Sequence, residues 1–254
     1  MVKKKPKLLV DGSLIVYRVS AAIEEPTEWE NDMWTLHADF NLAKQTLENA
    51  IKHFYEKLNC DEIIIALDDK ENFRKTVHPD YKSNRKKIRK PITVKPLKDY
   101  LKSKYHCVTY PGLEGDDVLG ILATSKKYKN NCVILSSDKD MRTIPGLHHF
   151  IHDGSTELVD ELTANYNFMY QTLTGDMTDG YSGCPKVGGV KAQRVLANVN
   201  KDISSMWKAV VAEYKRADLD EDYALTQARL ARILRTSDWD NENSKPKLWS
   251  PYDN

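Results

Sequence analysis

Short apolar runs alternate with amphipathic stretches over the first 160 or so residues of the chain. Apolar runs at 7–11, 62–69, 106–110, 132–138 and 148–152 predict buried strands. Apolar residues at steps of three and four over 36–58 and 116–128 predict amphipathic helices. Alternating strands and helices are typical of an α/β fold, with a central, mostly parallel sheet flanked by helices.

The pattern changes at about residue 162, after which it is mainly helical apart from a Gly-rich stretch over 175–189. We therefore expect an α/β core over 1–162 and a helical region over 163–254. The tail over 236–254 is polar and contains two prolines, and we expect it to pack loosely.

Composition limits the compartment more than the function. The 254 residues are 41% hydrophobic and 30% charged, and no apolar run approaches the roughly 20 residues of a membrane span. The basic start has too few apolar residues for a signal peptide. Free thiols in a reducing cytoplasm are expected for the widely spaced cysteines, and we expect a cytoplasmic monomer without a membrane partner. The cysteines are Cys60, Cys107, Cys132 and Cys184.

The net charge of +1 hides a strong segregation of charge along the chain. The segment 70–104 has thirteen Lys and Arg against three Asp and Glu, so the remainder is acidic. Prolines at 79, 91 and 96 argue against a single straight helix there. A basic segment attracts a polyanion, and clustered acids can hold divalent cations.

Acidic residues follow the predicted strands. Asp11, Asp68 and Asp138 end three of them, and the carboxyl ends of parallel strands meet at one edge of a sheet, where ligands gather. The remaining acids fall at a predicted helix start, beside Asp138, or in the Gly-rich stretch. They are Glu114, Asp116, Asp117, Asp140, Asp176 and Asp179.

So many carboxylates could not all stay ionised close together without cations, because like charges at short range raise their pKa values and force protonation. Oxygen-only sites suit Mg²⁺ or Mn²⁺, and two such ions can clamp the attacking and leaving oxygens of a phosphodiester. Taken singly, Asp116 or Asp117 could instead cap a helix, and Asp138 or Asp179 could close a turn. For the set as a whole we favour a metal site.

Six motifs in order resemble those of the flap-endonuclease and 5′-to-3′ exonuclease superfamily. They are LLVDGS, ALDDKENFRK, HPDYKSNRKK, LEGDDVLG, ILSSDKDM and GDMTDGYSGCPKVGGVKAQRVL, spread over about 7–196. The GDMTDGYSG and QARLARILR stretches most resemble the gene-six-type 5′-exonucleases of podophages. The resemblance implies a PIN-like 5′-nuclease fold with a basic arch or gateway segment over about 70–104.

The resemblance also implies two Mg²⁺ ions, for which Mn²⁺ can substitute. Asp11, Asp68, Glu114 and Asp116 would serve one ion, with Asp117 adjacent. The second ion would be completed by Asp138, Asp140, Asp176 and Asp179.

The basic segment would supply contacts to the nucleic acid. By resemblance, Lys82 and Arg85 contact the scissile phosphate and support catalysis, and Tyr81 stacks on a terminal base. Lys86 and Lys87 continue a run without acids, which favours phosphate contact. The alternative is a disordered basic loop with only nonspecific affinity.

The stretch over about 175–200 resembles the family's helix-three-turn-helix, which grips duplex and can bind a potassium ion. Glycines allow close backbone approach, and the start of the following helix presents N–H groups to a phosphate. The alternative is an ordinary Gly-rich loop. The expected contacts are Gly183, Lys186, Gly188, Gly189 and Lys191.

The leading functional hypothesis is a 5′-to-3′ exonuclease acting at or near 5′ ends or flaps of duplex DNA and RNA·DNA hybrids, including RNA primers. One alternative is a PIN-type single-strand endoribonuclease, against which the Gly-rich element speaks. Another is a non-catalytic DNA-binding relative, against which the complete set of acids speaks. Replication proteins would be partners only as separate chains.

Overall fold

The computed structural model describes residues 4–197 and 199–252, with the backbone but not the side chain of residue 86. The N-terminal elements are β1 (Lys7–Asp11), α1 (Gly12–Ile23), β2 (Glu25–Trp29), β3 (Met33–His37), α2 (Phe40–Lys57), β4 (Glu62–Ala66), α3 (Arg74–Val77), α4 (Val94–Lys104) and β5 (His106–Val108). They are followed by α5 (Gly115–Thr124), β6 (Cys132–Ser136), β7 (Gly146–Phe150), β8 (Thr156–Val159), α6 (Glu161–Thr174), α7 (Gly189–Ala197), α8 (Ile203–Arg216), α9 (Glu221–Ala231), β9 (Trp239–Asp240) and β10 (Lys245–Pro246).

The central sheet confirms the predicted α/β architecture. Within the described residues it has six strands in the order β5-β4-β1-β6-β7-β8. All neighbouring strands are parallel except β8, which runs antiparallel to β7 at one edge. The five predicted strands are all present, and β8 is the one that the apolar pattern did not indicate.

Strand β1 shows why the sheet is covered on both faces. Side chains alternate along a strand, and accordingly Leu8 and Val10 pack in a core with residues of α1, α2 and α4. Leu9 packs on the opposite face in a core that includes Val118 and Leu119 of α5. The apolar run in the sequence therefore reflects a strand buried between two helical layers.

The region before α2 differs from the prediction. Helix α2 begins at Phe40 because the Asp39 side chain accepts hydrogen bonds from the N–H groups of Asn41 and Leu42, at 2.8 and 3.1 Å. Leu36 lies instead in β3, which pairs with β2 in an antiparallel hairpin. The predicted start of this helix at residue 36 was wrong. Leu36 lies near the end of β3 but four residues before Phe40, so it happens to continue the apolar spacing of the helix.

The C-terminal tail is well packed, contrary to the expectation. The Trp249 ring makes edge contacts with the rings of Phe168 and Trp207, each at 5.1 Å between centroids. Further back, Leu234 and Trp239 join the core around α5. The division at residue 162 stays a prediction, although the chain after α9 returns to the α/β core.

Two simpler expectations concern membranes and cysteines. In the part of the chain that the structure describes, none of the helices is both long and apolar enough to cross a membrane. The four cysteines are free, as the sequence indicated.

Candidate active site

The acidic residues after three parallel strands lie along one edge of the sheet. Asp11 is the last residue of β1, Asp68 lies two residues beyond β4, and Asp138 lies two residues beyond β6. Since β4, β1 and β6 are neighbours, these side chains come from adjacent strand ends. Helix α5 begins at the same edge, because Gly115 N donates to Asp68 Oδ1 at 3.0 Å.

Asp11 is buried and has two structural contacts. Its Oδ1 accepts from Leu14 N at 3.0 Å, which caps α1, and its Oδ2 accepts from Ser136 Oγ at 2.8 Å. Burial raises the pKa of Asp11 to about 6, and the nearby Asp68 and Asp138 charges act in the same direction. The carboxyl is therefore held in a position where a counter-charge would stabilise its ionised form.

Asp68 has a different electrostatic setting. Burial opposes its ionisation, but Lys98 Nζ lies 3.0 Å from Asp68 Oδ2, and this ammonium with the Gly115 N–H keeps the pKa of Asp68 below its ordinary value. A Cβ at position 115 would lie 3.3 Å from Asp68 Oδ1, so glycine there permits the close approach of helix and carboxylate.

Glu114 and Asp116 flank the first turn of α5. The pKa of Asp116 is raised well above its ordinary value by burial and by the carboxylates of Asp11, Asp138 and Glu114. Glu114 has the opposite shift, since Lys82 and Arg74 outweigh burial and lower its pKa. Asp116 thus belongs with Asp11, Asp68 and Glu114 in a first acidic group.

A second acidic group lies beside the first. Asp138 Oδ1 accepts from Asp140 N at 2.8 Å, and Asp140 Oδ2 accepts from Gln171 Nε2 at 2.7 Å. Burial and the Asp138 charge raise the pKa of Asp140 to about 6. Asp176 Oδ1 accepts from Thr178 N at 2.7 Å. A cavity of about 310 Å³ lies between part of the first group and the second, and its acidic lining is Glu114, Asp116, Asp138, Asp140, Asp176 and Asp179. Asp11 and Asp68 do not line this cavity.

The basic segment closes over this cavity. Lys82 Nζ lies 2.5 Å from Glu114 Oε1 and 3.4 Å from Asp179 Oδ2, and Arg85 Nη2 lies 2.6 Å from Asp179 Oδ1. Lys82 N also donates to Asp179 O at 2.8 Å. The two predicted catalytic cations therefore converge on the acids. Lys87 is exposed, and the side chain of Lys86 lies outside the described part of the chain.

Tyr81 does not occupy the position expected of a base-stacking residue. Its side chain is 2% exposed, and its hydroxyl lies 3.0 Å from both Glu114 Oε2 and Asp179 Oδ2. The aromatic ring packs in the core formed with α6 to α9. The prediction of stacking is wrong for this structure, because a buried ring has no face open to a base.

Asp117 lies apart from the acidic cavity. It is fully buried and its two oxygens accept from Arg74 Nη1 and Nη2 at 2.7 and 2.8 Å. Leu234 N donates to it at 3.0 Å, and Glu114 N at 3.3 Å. The geometry contradicts the expected metal role, since the carboxylate is already occupied by these donors. Asp117 instead connects α5, α3 and the chain after α9.

The Gly-rich stretch separates into buried and exposed parts. Gly183 is buried with φ 66°, and a Cβ there would lie 2.3 Å from Gly175 N. This glycine serves chain packing, which corrects its predicted contact with nucleic acid. Lys186 and Gly188 are exposed, and Gly189 begins α7. A further predicted contact, Lys191 Nζ, lies 2.6 Å from Glu213 Oε1 and remains half exposed.

The donor chemistry of the cavity fits divalent ions that prefer oxygen ligands. Burial, together with the charge of neighbouring carboxylates, raises the pKa values of Asp11, Asp116 and Asp140. Among the described residues, no three Asp, Glu, His or Cys side chains are already arranged around one ion position. Lys82 Nζ supplies positive charge there, so an entering cation would compete with this ammonium.

Several contacts of the site had no signal in the sequence. Lys98 reaches Asp68 across 30 residues, Gln171 reaches Asp140 across 31, and Arg74 reaches Asp117 across 43. Lys98 and Arg74 were visible only as members of a basic segment. The position of Gln171 on the last turn of a helix that ends at the Gly-rich stretch was a weak clue.

The raised pKa of Asp140 predicts a pH-dependent effect of Asp140→Asn on the metal-free protein. The folded state binds the proton of the Asp140 carboxyl more tightly than the unfolded state does. The protonated carboxyl therefore stabilises the folded state at low pH, and this contribution is lost as pH rises through about 6. In EDTA, the variant should gain thermal stability over the parent at pH 8 but not at pH 4. Comparing the two proteins cancels contributions from histidines, and a Tm difference independent of pH would contradict the assignment.

Residues 6–168 match the family model described as 5′-3′ exonuclease, N-terminal resolvase-like domain. The exonuclease of Escherichia phage T7 is 30% identical, with 96% of this chain and 93% of that protein covered. The exodeoxyribonuclease of Enterobacteria phage T3 is also 30% identical, with 96% and 92% covered.

A solved structure shares the fold at low sequence identity. The flap endonuclease of bacteriophage T5, determined in a complex with DNA and metal ions, has a TM-score of 0.70 at 13% identity and covers 89% of each chain. The PIN-like architecture and the sequence matches together define a 5′-to-3′ nuclease. The chain belongs to the 5′-3′ exonuclease family.

Proposed function

We propose that this nuclease hydrolyses phosphodiester bonds at or near the 5′ ends of duplex DNA and RNA·DNA hybrids, including RNA primers and flaps. The observation that carries the proposal is a cavity where carboxylates from several elements face two cations of one basic segment. The T5 flap endonuclease was determined in a complex with DNA and metal ions, which supports the same ligand classes here.

The acidic groups would hold two Mg²⁺ ions, for which Mn²⁺ would substitute. Asp11, Asp68, Glu114 and Asp116 would serve one ion, and Asp138, Asp140, Asp176 and Asp179 the other. When bound, such ions supply Lewis-acid activation of the phosphodiester and of the attacking water. Hydrogen bonds from Leu14 N, Ser136 Oγ and Gln171 Nε2 hold Asp11 and Asp140 in place before any ion enters.

Lys82 and Arg85 would act on the substrate phosphate. Both now contact the acids, so they lie within reach of any phosphate that bridges the acidic groups. A cation there offsets negative charge that develops as the bond breaks. Arg85 is the more exposed of the two and forms an ion pair with Asp179, which suits a contact with the incoming strand.

The exposed part of the Gly-rich stretch would hold the duplex behind the cut. Lys186 and Gly188 are accessible, and the first turn of α7 at Gly189 offers backbone N–H groups to a phosphate. Lys191 adds a partly exposed charge. Such contacts carry no base information, so we expect binding without sequence preference. A potassium ion would be compatible with this element.

Replacing Lys82 with alanine should lower kcat by about a hundredfold, the effect of losing one preorganised charge at the reacting group. KM should change less, because the remaining basic residues still bind the strand. Single-turnover cleavage and fluorescence-anisotropy binding separate the two effects. Lys75→Ala is the matched control, since Lys75 belongs to the same segment but is exposed and outside the cavity. Equal loss in both variants would indicate only nonspecific attraction.

Substrate preference is tested with one sequence presented in four forms, namely a recessed 5′ end, a 5′ flap, an RNA·DNA hybrid and a free single strand. The proposal predicts 5′-terminal products from the first three forms and the slowest cleavage of the free single strand. Cutting confined to single-stranded RNA would contradict it.

A further inference from the structure

A contact outside the acidic cavity joins the basic segment to the end of α1. Glu24 directly follows this helix, and its side chain is only 8% exposed. Glu24 Oε2 accepts from Ile92 N at 2.7 Å and from Arg89 Nη1 at 3.1 Å. Arg89 Nη2 donates to the other carboxylate oxygen, Glu24 Oε1. One carboxylate therefore binds both a side chain and the backbone of the basic segment.

This contact is more than an ordinary ion pair at the surface. An exposed ion pair contributes little, because water screens it and two side chains must be ordered. Here the carboxylate is largely buried, the guanidinium binds it through two nitrogens, and a backbone N–H adds a third donor. Helix α1 also holds Glu24 in place, since Glu24 N donates to Ser20 O at 3.1 Å and Val16 packs in the core. Glu24 is thus a fixed point for the segment.

The basic segment is attached to the rest of the protein at two points. The first lies at the acidic cavity, where Lys82 N donates to Asp179 O at 2.8 Å and Asn84 Nδ2 donates to Thr178 O at 3.1 Å. The second is the contact with Glu24. The part of the segment between these points is exposed, so its position depends on both attachments.

Arg85 lies in this exposed part. It belongs to a short 3-10 helix over Ser83–Lys87, and its carbonyl accepts from Ile88 N at 3.1 Å where that helix ends. Arg89 follows Arg85 by only four positions, so a displacement of Arg89 is transmitted to Arg85. Lys82 is less sensitive, because its backbone and its ammonium are both held at the acidic cavity.

We propose that Glu24 is a positioning residue of this nuclease, which fixes the far end of the basic segment and thereby holds Arg85 at the acidic cavity. Within the described part of the chain, Glu24 is not among the residues that line that cavity, so it acts only through the segment. The inference rests on the proposed contact of Arg85 with the substrate phosphate. A cation that is in place before the strand arrives needs no reordering during the reaction, so a remote residue that holds it affects the rate.

Limited trypsin digestion of the full chain in EDTA tests the attachment without nuclease activity. Arg85, Lys87 and Arg89 are exposed cleavage sites in the segment. Glu24→Ala should be cut there about tenfold faster than the parent, because the far end of the segment is released. Glu25→Ala is the matched control, since Glu25 is the neighbouring carboxylate and is exposed in β2. It should be digested at the rate of the parent.

Single-turnover cleavage in Mg²⁺ tests the consequence for the reaction. Glu24→Ala should lower the rate at saturating duplex about fivefold. Its Kd for the duplex in EDTA should change less than about twofold, because every basic residue is retained. In an Arg85→Ala background, Glu24→Ala should have no further effect on the rate. Arg89→Gln removes the same ion pair from its exposed side without disturbing the core, and it should also give faster digestion and slower cleavage.

Digestion of Glu24→Ala at the rate of the Glu25→Ala control would overturn the proposal. So would faster digestion with an unchanged cleavage rate, or an effect of Glu24→Ala that adds fully to that of Arg85→Ala. Failure of the proposed function is a separate result, namely a parent protein that cleaves none of the four substrate forms. If the digestion difference were then still present, Glu24 would have a purely structural role.

Discussion

Replacing Asp138 with alanine is expected to lower the cleavage rate at least about a thousandfold while leaving the protein folded. Asp138 is the residue that the two acidic groups share, since its charge acts on Asp11, Asp116 and Asp140. The variant loses the hydrogen bond that Asp140 N donates to Asp138, but it also loses the repulsion between Asp138 and its three neighbouring carboxylates. Stability in EDTA should therefore change little, whereas activity should be lost.

The measurement is single-turnover cleavage of a 5′-labelled duplex in Mg²⁺, with thermal unfolding in EDTA recorded on the same preparations. Asp222→Ala is the matched control, because Asp222 is an exposed aspartate in the first turn of α9. Binding of the duplex by the Asp138 variant should remain measurable through the basic residues. Turnover equal to that of the control would refute the metal-site assignment.

Replacing Asp117 with alanine should have the opposite signature, a loss of about 3–5 kcal/mol in the free energy of unfolding. The substitution leaves Arg74 buried without its bidentate partner, and it removes the acceptor of Leu234 N. Arg74 would still donate to Leu230 O and Arg232 O, which carry no charge, and it would keep only a longer contact of 3.5 Å to Glu114, a carboxylate already paired with Lys82. Activity should fall only as far as the folded population falls.

Urea unfolding in EDTA measures this effect. The double variant Arg74→Met, Asp117→Leu is the informative control, because replacing a buried ion pair by apolar groups of similar size removes the unpaired charge. It should recover much of the lost stability. If Asp117→Ala unfolds like the parent but no longer cleaves DNA, Asp117 belongs to the metal site after all.

The sequence was most informative where one strand or helix determines the position of a residue. Apolar runs located β1, β4 and β6, and parallel pairing then required Asp11, Asp68 and Asp138 to share an edge. The motif resemblance correctly indicated the nuclease family and its fold. These inferences hold because burial and strand direction follow from local sequence.

Side-chain roles that depend on distant partners could not be predicted in this way. Asp116 and Asp117 are adjacent in the chain and identical in type, yet one faces the acidic cavity and the other binds Arg74 across 43 residues. The rotation of successive residues around a helix places them in different surroundings. Tyr81 was likewise misassigned, because its burial depends on α6 to α9, which lie far along the chain.

The packing of the C-terminal tail also depends on distant partners and could not be predicted from its own sequence. A polar tail with prolines suggested loose packing, but a single aromatic residue, Trp249, anchors it between Phe168 and Trp207. Large rings bury enough area to order a short segment that composition alone would class as mobile.

The central claim, a metal-dependent 5′ nuclease, is tested most directly by incubating a duplex labelled at either the 5′ or the 3′ terminus with the protein in Mg²⁺ or in EDTA. The account predicts short labelled products from the 5′-labelled strand in Mg²⁺ and none in EDTA, while the 3′-labelled strand shortens progressively from its other end. Cleavage that persists in EDTA, or short products released first from the 3′ label, would contradict it.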